Sequence, residues 1–161
     1  MRRAILIVVV IAVAGFAAFM VFQKINRITL DKDFVLNEVN GKPFTLSHYA
    51  GQPIILSFML ARCSECKTEA TFLNRIYNKY KSDKKLMVVG VGEDKEVEDF
   101  VKNLEIIFPV VMDEKHEVAH LYNAKKVPHL VFIDKQGKII NEVVEKVLDE
   151  AALEEILKGM L

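Results

Sequence analysis

The stretch PIILSFMLARCSEC at residues 53–66 decides the fold class of this chain. Residues 53–60 are almost entirely apolar, which is typical of a buried strand in the middle of a sheet. Cys63 and Cys66 follow, and a helical pattern begins behind them. At a helix N-terminus, positions i and i+3 share a face, so the two sulfurs can form a disulfide, and the helix dipole favours a thiolate at Cys63. The sequence therefore predicts a dithiol that exchanges electrons with the thiols of other proteins.

Two alternatives to a reversible disulfide are open for the cysteine pair. It could be a static structural disulfide, or half of a metal site. The chain has only these two cysteines, too few for the disulfide scaffold of a small secreted protein. Zinc normally takes four ligands, and no second Cys/His pair has suitable spacing. The strand–CxxC–helix context favours redox exchange.

The charge balance argues against a nucleic-acid partner. The 161 residues carry 22 basic and 22 acidic side chains, for a formal net charge of zero. No basic excess is present to neutralise phosphates, so we expect no binding of nucleic acid.

The N-terminus predicts a membrane anchor. Residues 4–22 form an uncharged apolar run that would span roughly 28 Å as a helix, about the thickness of a bilayer core. A cleaved signal peptide is the alternative, since Ala12-Val13-Ala14 offers a small-x-small site. The apolar run continues for eight residues beyond Ala14, which favours an uncleaved anchor. We therefore expect a cytoplasmic tip and transmembrane anchor at residues 1–23 and a stalk at residues 24–33.

The predicted orientation rests on charge and on redox chemistry. Arg2 and Arg3 favour a cytoplasmic N-terminus, but Lys24 and Arg27 flank the other end of the apolar run. An anchored dithiol is most useful outside the reducing cytosol. We expect a single-pass protein of the cell membrane with its folded domain on the extracytoplasmic side.

The remaining sequence alternates between strand and helix patterns. Asn40-Gly41 and residues 134–137 each predict a hairpin turn between two short strands. Apolar runs at 86–91 and 108–112 predict two further strands, and helical spacing predicts helices near 97–104 and 118–122. Asp149 is predicted to cap a final helix with Leu153, Ile156, Leu157 and Leu161 on one face. This order indicates an α/β fold with a mixed sheet flanked by helices.

These elements resemble the thioredoxin-like family, specifically its membrane-anchored TlpA/ResA type. The resemblance covers residues 34–161 in matching order, and implies a thioredoxin-like fold with an N-terminal β-hairpin extension. It rests on these pieces of the sequence: Asn40-Gly41-Lys42, Phe58, Cys63-Ser64-Glu65-Cys66-Lys67, Glu69, Val88 to Glu93, Phe108 to Asp113, Val127-Pro128, Phe132-Ile133-Asp134 and Gly137-Lys138.

The resemblance also implies roles for individual residues. Cys63 would be the nucleophile and Cys66 the buried resolving thiol. Pro128 would be a cis-proline facing the cysteines, which leaves the backbone of Val127 open to pair with a bound peptide. Glu69 would be a buried carboxylate that shuttles protons and raises the pKa values of the cysteines. From the residues alone, Glu69 is equally well a solvated helix residue.

The active-site region departs from the family pattern at four places. Arg62 stands where tryptophan is usual, Glu65 where proline is frequent, and His129 where threonine is usual. Ala70-Thr71 occupies the place of a helix-bending proline. Arg62 and the helix N-terminus favour the Cys63 thiolate, whereas Glu65 between the sulfurs disfavours it. Because these effects oppose one another, we expect an ordinary thiol pKa, which suits a reductant.

His129 supplies an alternative function. Its imidazole would join Cys63 and Cys66 as a third ligand for Cu(I), a metal that thiolate and imidazole both suit. The protein would then be a copper chaperone or carrier of thioredoxin fold. The other histidines, His48, His116 and His120, are interpreted as surface residues. A peroxidase is disfavoured because the cysteine pair has the spacing of an exchange site.

The first interpretation is a membrane-tethered thiol–disulfide oxidoreductase that needs no cofactor besides its Cys63–Cys66 disulfide. Its expected partners are protein disulfides as substrates, a membrane thiol donor of electrons, and the lipid bilayer through residues 4–22. By resemblance, one substrate class is the haem-binding cysteine pair of apocytochrome c, in cytochrome c maturation. General reduction of envelope disulfides fits the residues equally well.

Overall fold

A computed structural model of the chain describes residues 28–82 and 85–161, together with positions 13, 15 and 16. The described residues contain seven strands and four α-helices. The strands are β1 (Val35–Glu38), β2 (Pro43–Thr45), β3 (Ile54–Met59), β4 (Met87–Gly92), β5 (Val110–Met112), β6 (His129–Ile133) and β7 (Ile139–Val144). The helices are α1 (Ser64–Tyr80), α2 (Val97–Asn103), α3 (Glu117–Tyr122) and α4 (Glu150–Lys158).

The strands form one mixed sheet in the order β2-β1-β5-β4-β3-β6-β7. Strands β3, β4 and β5 are parallel, and β6 runs antiparallel to β3. Both predicted hairpins are present, since β1 pairs antiparallel with β2 and β6 with β7. The mixed α/β fold expected from the sequence is confirmed.

The central strand β3 is buried on both faces because all six of its residues lie inside the protein. On one face of β3, Ile55 joins a core beneath α1, α2 and α4. This core includes Leu73, Phe100 and Leu153. The even-numbered residues of β3 join a second core beneath α3, with Tyr122 at its centre. A continuous apolar run is what a strand covered on both faces requires.

The last helix matches the prediction except at its end. The Asp149 carboxylate accepts a hydrogen bond from the backbone N–H of Ala152 at 2.8 Å, so it caps α4 as expected. Leu153 and Leu157 are fully buried. Leu161 was expected on the same face but is 43% exposed, and Met160 is buried in its place. The helix ends at Lys158, so the helical periodicity no longer fixes which face the last residues share.

Residues 28–33, the described part of the expected stalk, lie along the domain. The backbone N–H of Asp31 donates to the carbonyl of Gly137 at 3.0 Å, and Tyr122 donates its hydroxyl to the carbonyl of Lys32. A Cβ at Gly137 would lie 2.4 Å from the Thr29 carbonyl oxygen, so the close approach of the two segments requires glycine.

The predicted anchor at residues 4–22 lies outside the described residues, apart from positions 13, 15 and 16. Within the described part of the chain, no helix has the length and apolar character needed to cross a bilayer.

Candidate active site

The two cysteines form a disulfide at the N-terminus of α1. The S–S distance is 2.21 Å and the Cα atoms are 5.2 Å apart. Cys63 is the N-cap residue of α1, and its sulfur accepts the backbone N–H of Cys66 at 3.0 Å. Cys63 is partly exposed, whereas Cys66 is only 1% exposed. The first cysteine is therefore open to a partner, whereas the second is not.

The charged neighbours of Cys63, Arg62 and Glu65, are exposed, and each has a polar partner. The Arg62 guanidinium is 84% exposed and pairs with Glu96 at 2.9 Å. Its positive charge is therefore largely offset by a carboxylate, and it favours the thiolate less than the sequence suggested. Glu65 is exposed and accepts a hydrogen bond from the Ser64 hydroxyl at 2.7 Å, which lowers the pKa of its carboxyl. A negative charge therefore stands at the mouth of the site.

Glu69 lies one turn along α1 from Cys66 and is buried on the same face. Its side chain is 1% exposed, and its Oε1 accepts the Ser57 hydroxyl at 3.1 Å. Its Oε2 is buried without a hydrogen-bond partner among the described residues. Burial raises the pKa of Glu69 to about 7, and the Ser57 hydrogen bond opposes the rise. Of the two alternatives that the sequence left open, the structure contains the buried carboxyl.

Val127 and Pro128 lie at the same edge of the sheet as the cysteines. Strand β6 begins at His129, opposite Phe58 near the end of β3, and Cys63 follows β3 after a short turn. The Val127–Pro128 peptide bond is cis. Val127 is half-buried and makes no backbone hydrogen bond in the described ranges. Its N–H and C=O groups are therefore free to pair with an extended chain.

His129 does not join the sulfurs. Its ring stacks obliquely on Phe58 at 5.7 Å, and its Nε2 lies 2.9 Å from the Glu142 carboxylate. Both its sheet neighbour Val131 and Phe58 belong to the core beneath α3, whereas Cys66 belongs to the core on the opposite face. In the part of the chain that the structure describes, no three His, Cys, Asp or Glu side chains are grouped to hold a metal ion. This arrangement contradicts the copper site of Cys63, Cys66 and His129.

Three supporting residues escaped the sequence analysis. Ser57 is the only hydroxyl residue in the apolar run 53–60, and it is buried beside Glu69, to which it donates a hydrogen bond. The Asp94 carboxylate accepts the backbone N–H of Ala61 at 2.8 Å and so fixes the turn before Cys63. Glu142 binds His129 from a neighbouring strand. Only Ser57 carried a signal, because a polar residue inside a buried strand needs a partner.

The remaining histidines are exposed, as expected. His116 binds the Glu93 carboxylate through Nδ1 at 2.9 Å, and His48 and His120 face the solvent.

Comparison with known proteins identifies the family. The sequence pattern of the AhpC/TSA family matches residues 31–142, more than half of the chain. The chain belongs to the AhpC/TSA family. Within this thioredoxin-like family, it is 30% identical over 163 residues to the thiol-disulfide oxidoreductase ResA of Bacillus thuringiensis subsp. konkukian, covering 97% of this chain and 93% of the relative. It is 32% identical to ResA of Bacillus subtilis, covering 88% of this chain and 82% of the relative.

A solved structure agrees with these relatives of the AhpC/TSA family. The crystal structure of StoA from Bacillus subtilis superposes with a TM-score of 0.66 at 25% identity, covering 78% of this chain and 96% of StoA. The resemblance drawn from the sequence is confirmed. This AhpC/TSA family member is a thioredoxin-like thiol–disulfide oxidoreductase.

Proposed function

We propose that this protein is a membrane-tethered reductant of protein disulfides on the extracytoplasmic side of the cell membrane. One observation carries the proposal: a reachable Cys63 at a helix N-terminus is bonded to a buried Cys66, with a buried carboxyl one turn further along the helix. An accessible sulfur and a protected one suit a two-step exchange.

The reaction begins with the dithiol form. The Cys63 thiolate attacks one sulfur of a substrate disulfide, the substrate S–S bond breaks, and a mixed disulfide forms while the first substrate sulfur leaves as a thiolate. The Cys66 thiol then loses its proton and attacks the Cys63 sulfur. The second substrate sulfur leaves, and the 63–66 disulfide closes. Two electrons pass to the substrate, and a membrane thiol donor restores the dithiol.

Glu69 acts on the second step. Cys66 must lose a proton inside the protein, where water does not reach. A carboxyl with a pKa of about 7 is partly ionised near neutral pH, so it can accept that proton and later return it. Cys66 and Glu69 are positions i and i+3 on the buried face of α1, which places the two side chains next to each other for this transfer.

The charges around Cys63 favour a reductant. The helix N-terminus stabilises the thiolate, whereas exposed Glu65 and buried Glu69 oppose it, and Glu96 offsets Arg62. A strongly depressed thiol pKa would stabilise the dithiol and make an oxidant. These opposed charges support a pKa near ambient pH instead.

The named relatives support thiol–disulfide exchange, and the resemblance implies that the substrates are envelope disulfides. One substrate class is the haem-binding cysteine pair of apocytochrome c, which must be reduced before haem attachment. General reduction of envelope protein disulfides is equally compatible with the residues at the site.

The reduction potential of the full chain tests the direction of transfer. Equilibration in thiol–disulfide buffers is expected to give a value at or below about −230 mV, on the side of the dedicated reductants. A value near about −120 mV would identify an oxidant and would end the reductive interpretation.

The membrane tether needs its own measurement. Mass spectrometry of the protein from membranes is expected to find an intact N-terminus with residues 4–22 present. A mature N-terminus at residue 15 or beyond would replace the anchor with a cleaved signal peptide.

A further inference from the structure

His129 is a buried ionisable side chain that the exchange mechanism above does not use. It is 2% exposed, and its ring lies against Phe58 in the core. Its Nδ1 is buried without a partner among the described residues, so the hydrogen bond to Glu142 is the one polar contact that orients the ring. Since a carboxylate can only accept, Nε2 of His129 is the donor in that contact.

Glu142 belongs to the edge strand β7 and is 41% exposed. It reaches inward to His129 from the position opposite Val131. The backbone N–H of Glu145, the residue after β7, donates to the Pro128 carbonyl at 2.9 Å. Strand β7 and the residue after it therefore hold Pro128 by a backbone bond, and hold His129 both by its pairing with Val144 and by the side-chain bond from Glu142.

Val127 directly precedes Pro128 and His129 in the chain. Its N–H and C=O make no backbone hydrogen bond in the described ranges, and it packs against both cores. With no ladder contact of its own, Val127 takes its position from its packing against the two cores and from Pro128 and His129, which follow it. The seating of His129 at the start of β6 is therefore one of the contacts that set the direction of the Val127 backbone groups.

We propose that His129 and Glu142 are positioning residues for polypeptide substrates, because their hydrogen bond helps to hold the backbone of Val127 at the sheet edge that it shares with Cys63. This role rests on the proposed function, because it requires a substrate that is a polypeptide with a disulfide. The polypeptide would lie extended across the sheet edge at Val127. A small disulfide needs only to reach the Cys63 sulfur and gains nothing from Val127. The pair therefore acts on the binding of polypeptides and leaves the sulfur chemistry unchanged.

The test is a set of variants of the full chain in detergent, assayed with two substrates. The polypeptide probe is a synthetic decapeptide with an internal Cys-x-x-Cys disulfide, and the small probe is hydroxyethyl disulfide. Glu142→Ala removes the acceptor, whereas Glu142→Gln keeps a carbonyl oxygen that can accept from Nε2. Asn141→Ala, an exposed change on the same strand, is the matched control.

We expect Glu142→Ala to raise KM for the peptide about tenfold, with kcat within twofold. A hydrogen bond to a charged group contributes enough free energy for a change of that size. Hydroxyethyl disulfide should be reduced at an unchanged rate, and Glu142→Gln should restore most of the peptide KM. Asn141→Ala should match the unmodified protein with both substrates.

The outcomes separate this proposal from the proposed function. If the unmodified protein reduces hydroxyethyl disulfide but not the peptide, the proposed function fails. If the peptide is reduced and Glu142→Ala leaves its KM unchanged, only the positioning role fails. Equal loss with both substrates also overturns it, since a general loss of structure would do the same; urea unfolding of each variant measures that loss directly.

Discussion

Replacing Glu69 with glutamine tests whether the buried carboxyl holds its proton near neutral pH. Glutamine has the shape of a protonated glutamate and its carbonyl can still accept from Ser57, but it cannot ionise. We expect ionisation of Glu69 to lower the stability of the unmodified protein as pH rises. The Glu69→Gln variant should lack the fall in stability that comes from this ionisation.

The pKa values of Glu69 in the unfolded chain and in the folded protein determine the sign and size of this change in stability. In the unfolded chain the carboxyl has its ordinary pKa of 4.5, and in the folded protein burial raises the pKa to about 7. The folded state thus binds the proton more tightly, so the contribution of Glu69 to stability is fully present below pH 4.5, falls as pH rises from there to 7, and is lost above 7. The difference in pKa, at about 1.4 kcal/mol for each pH unit, corresponds to about 3 kcal/mol of unfolding free energy.

Urea unfolding of the oxidised full chain at several pH values between 4 and 9 measures the effect. The oxidised form is used because disulfide-bonded sulfurs do not titrate. The difference in unfolding free energy between Glu69→Gln and the unmodified protein should shift in favour of the variant by about 3 kcal/mol across this range. Glu65→Gln, an exposed change on the same helix, should leave the decline in place. Parallel pH profiles for Glu69→Gln and the unmodified protein would refute the reasoning.

Three further results are expected. Ser57→Ala removes the hydrogen bond that lowers the pKa of Glu69, so the fall in stability should extend to higher pH; an unchanged pH profile would contradict this. Asp149→Ala removes the cap of α4 and should lower the unfolding free energy by about 1 kcal/mol, seen as a lower urea midpoint. Arg62→Ala breaks an exposed ion pair and should cost less than about 1 kcal/mol, with the pH dependence of Cys63 alkylation nearly unchanged. A large shift in that dependence would show that the guanidinium acts on the sulfur.

Most of the fold could be predicted because its strands and turns carry strong local signals. The run 53–60 is apolar throughout, and a strand buried on both faces needs such a run. Asn40-Gly41 marks a hairpin turn, and Gly41 has the positive φ of 83° that this turn requires. Asp149 marks the start of α4 by its capping chemistry.

The site was less predictable because it depends on contacts between distant segments. The sequence does not say whether Glu69 faces the sheet or the solvent, since α1 has polar residues on both sides. The run from His129 to Ile133 is buried on both faces, so its apolar residues do not show to which face the histidine belongs. Its pairing with β3 decides that, and Glu142 becomes its partner only through the pairing of β6 with β7.

The docking of residues 29–33 against the turn at Gly137 determines how far the catalytic domain could travel. If residues 4–22 span the bilayer as proposed, only residues 23–28 separate the membrane from the first docked residues, a reach of about 20 Å when fully extended. The domain would sample a thin layer above the lipid, and substrates and electron donors within that layer would meet Cys63 at a high effective concentration. A Gly137→Ala substitution would push Thr29 away from the turn. More residues would then separate the bilayer from the docked part of the domain, and the layer that the domain samples would be thicker, with the active site unaltered.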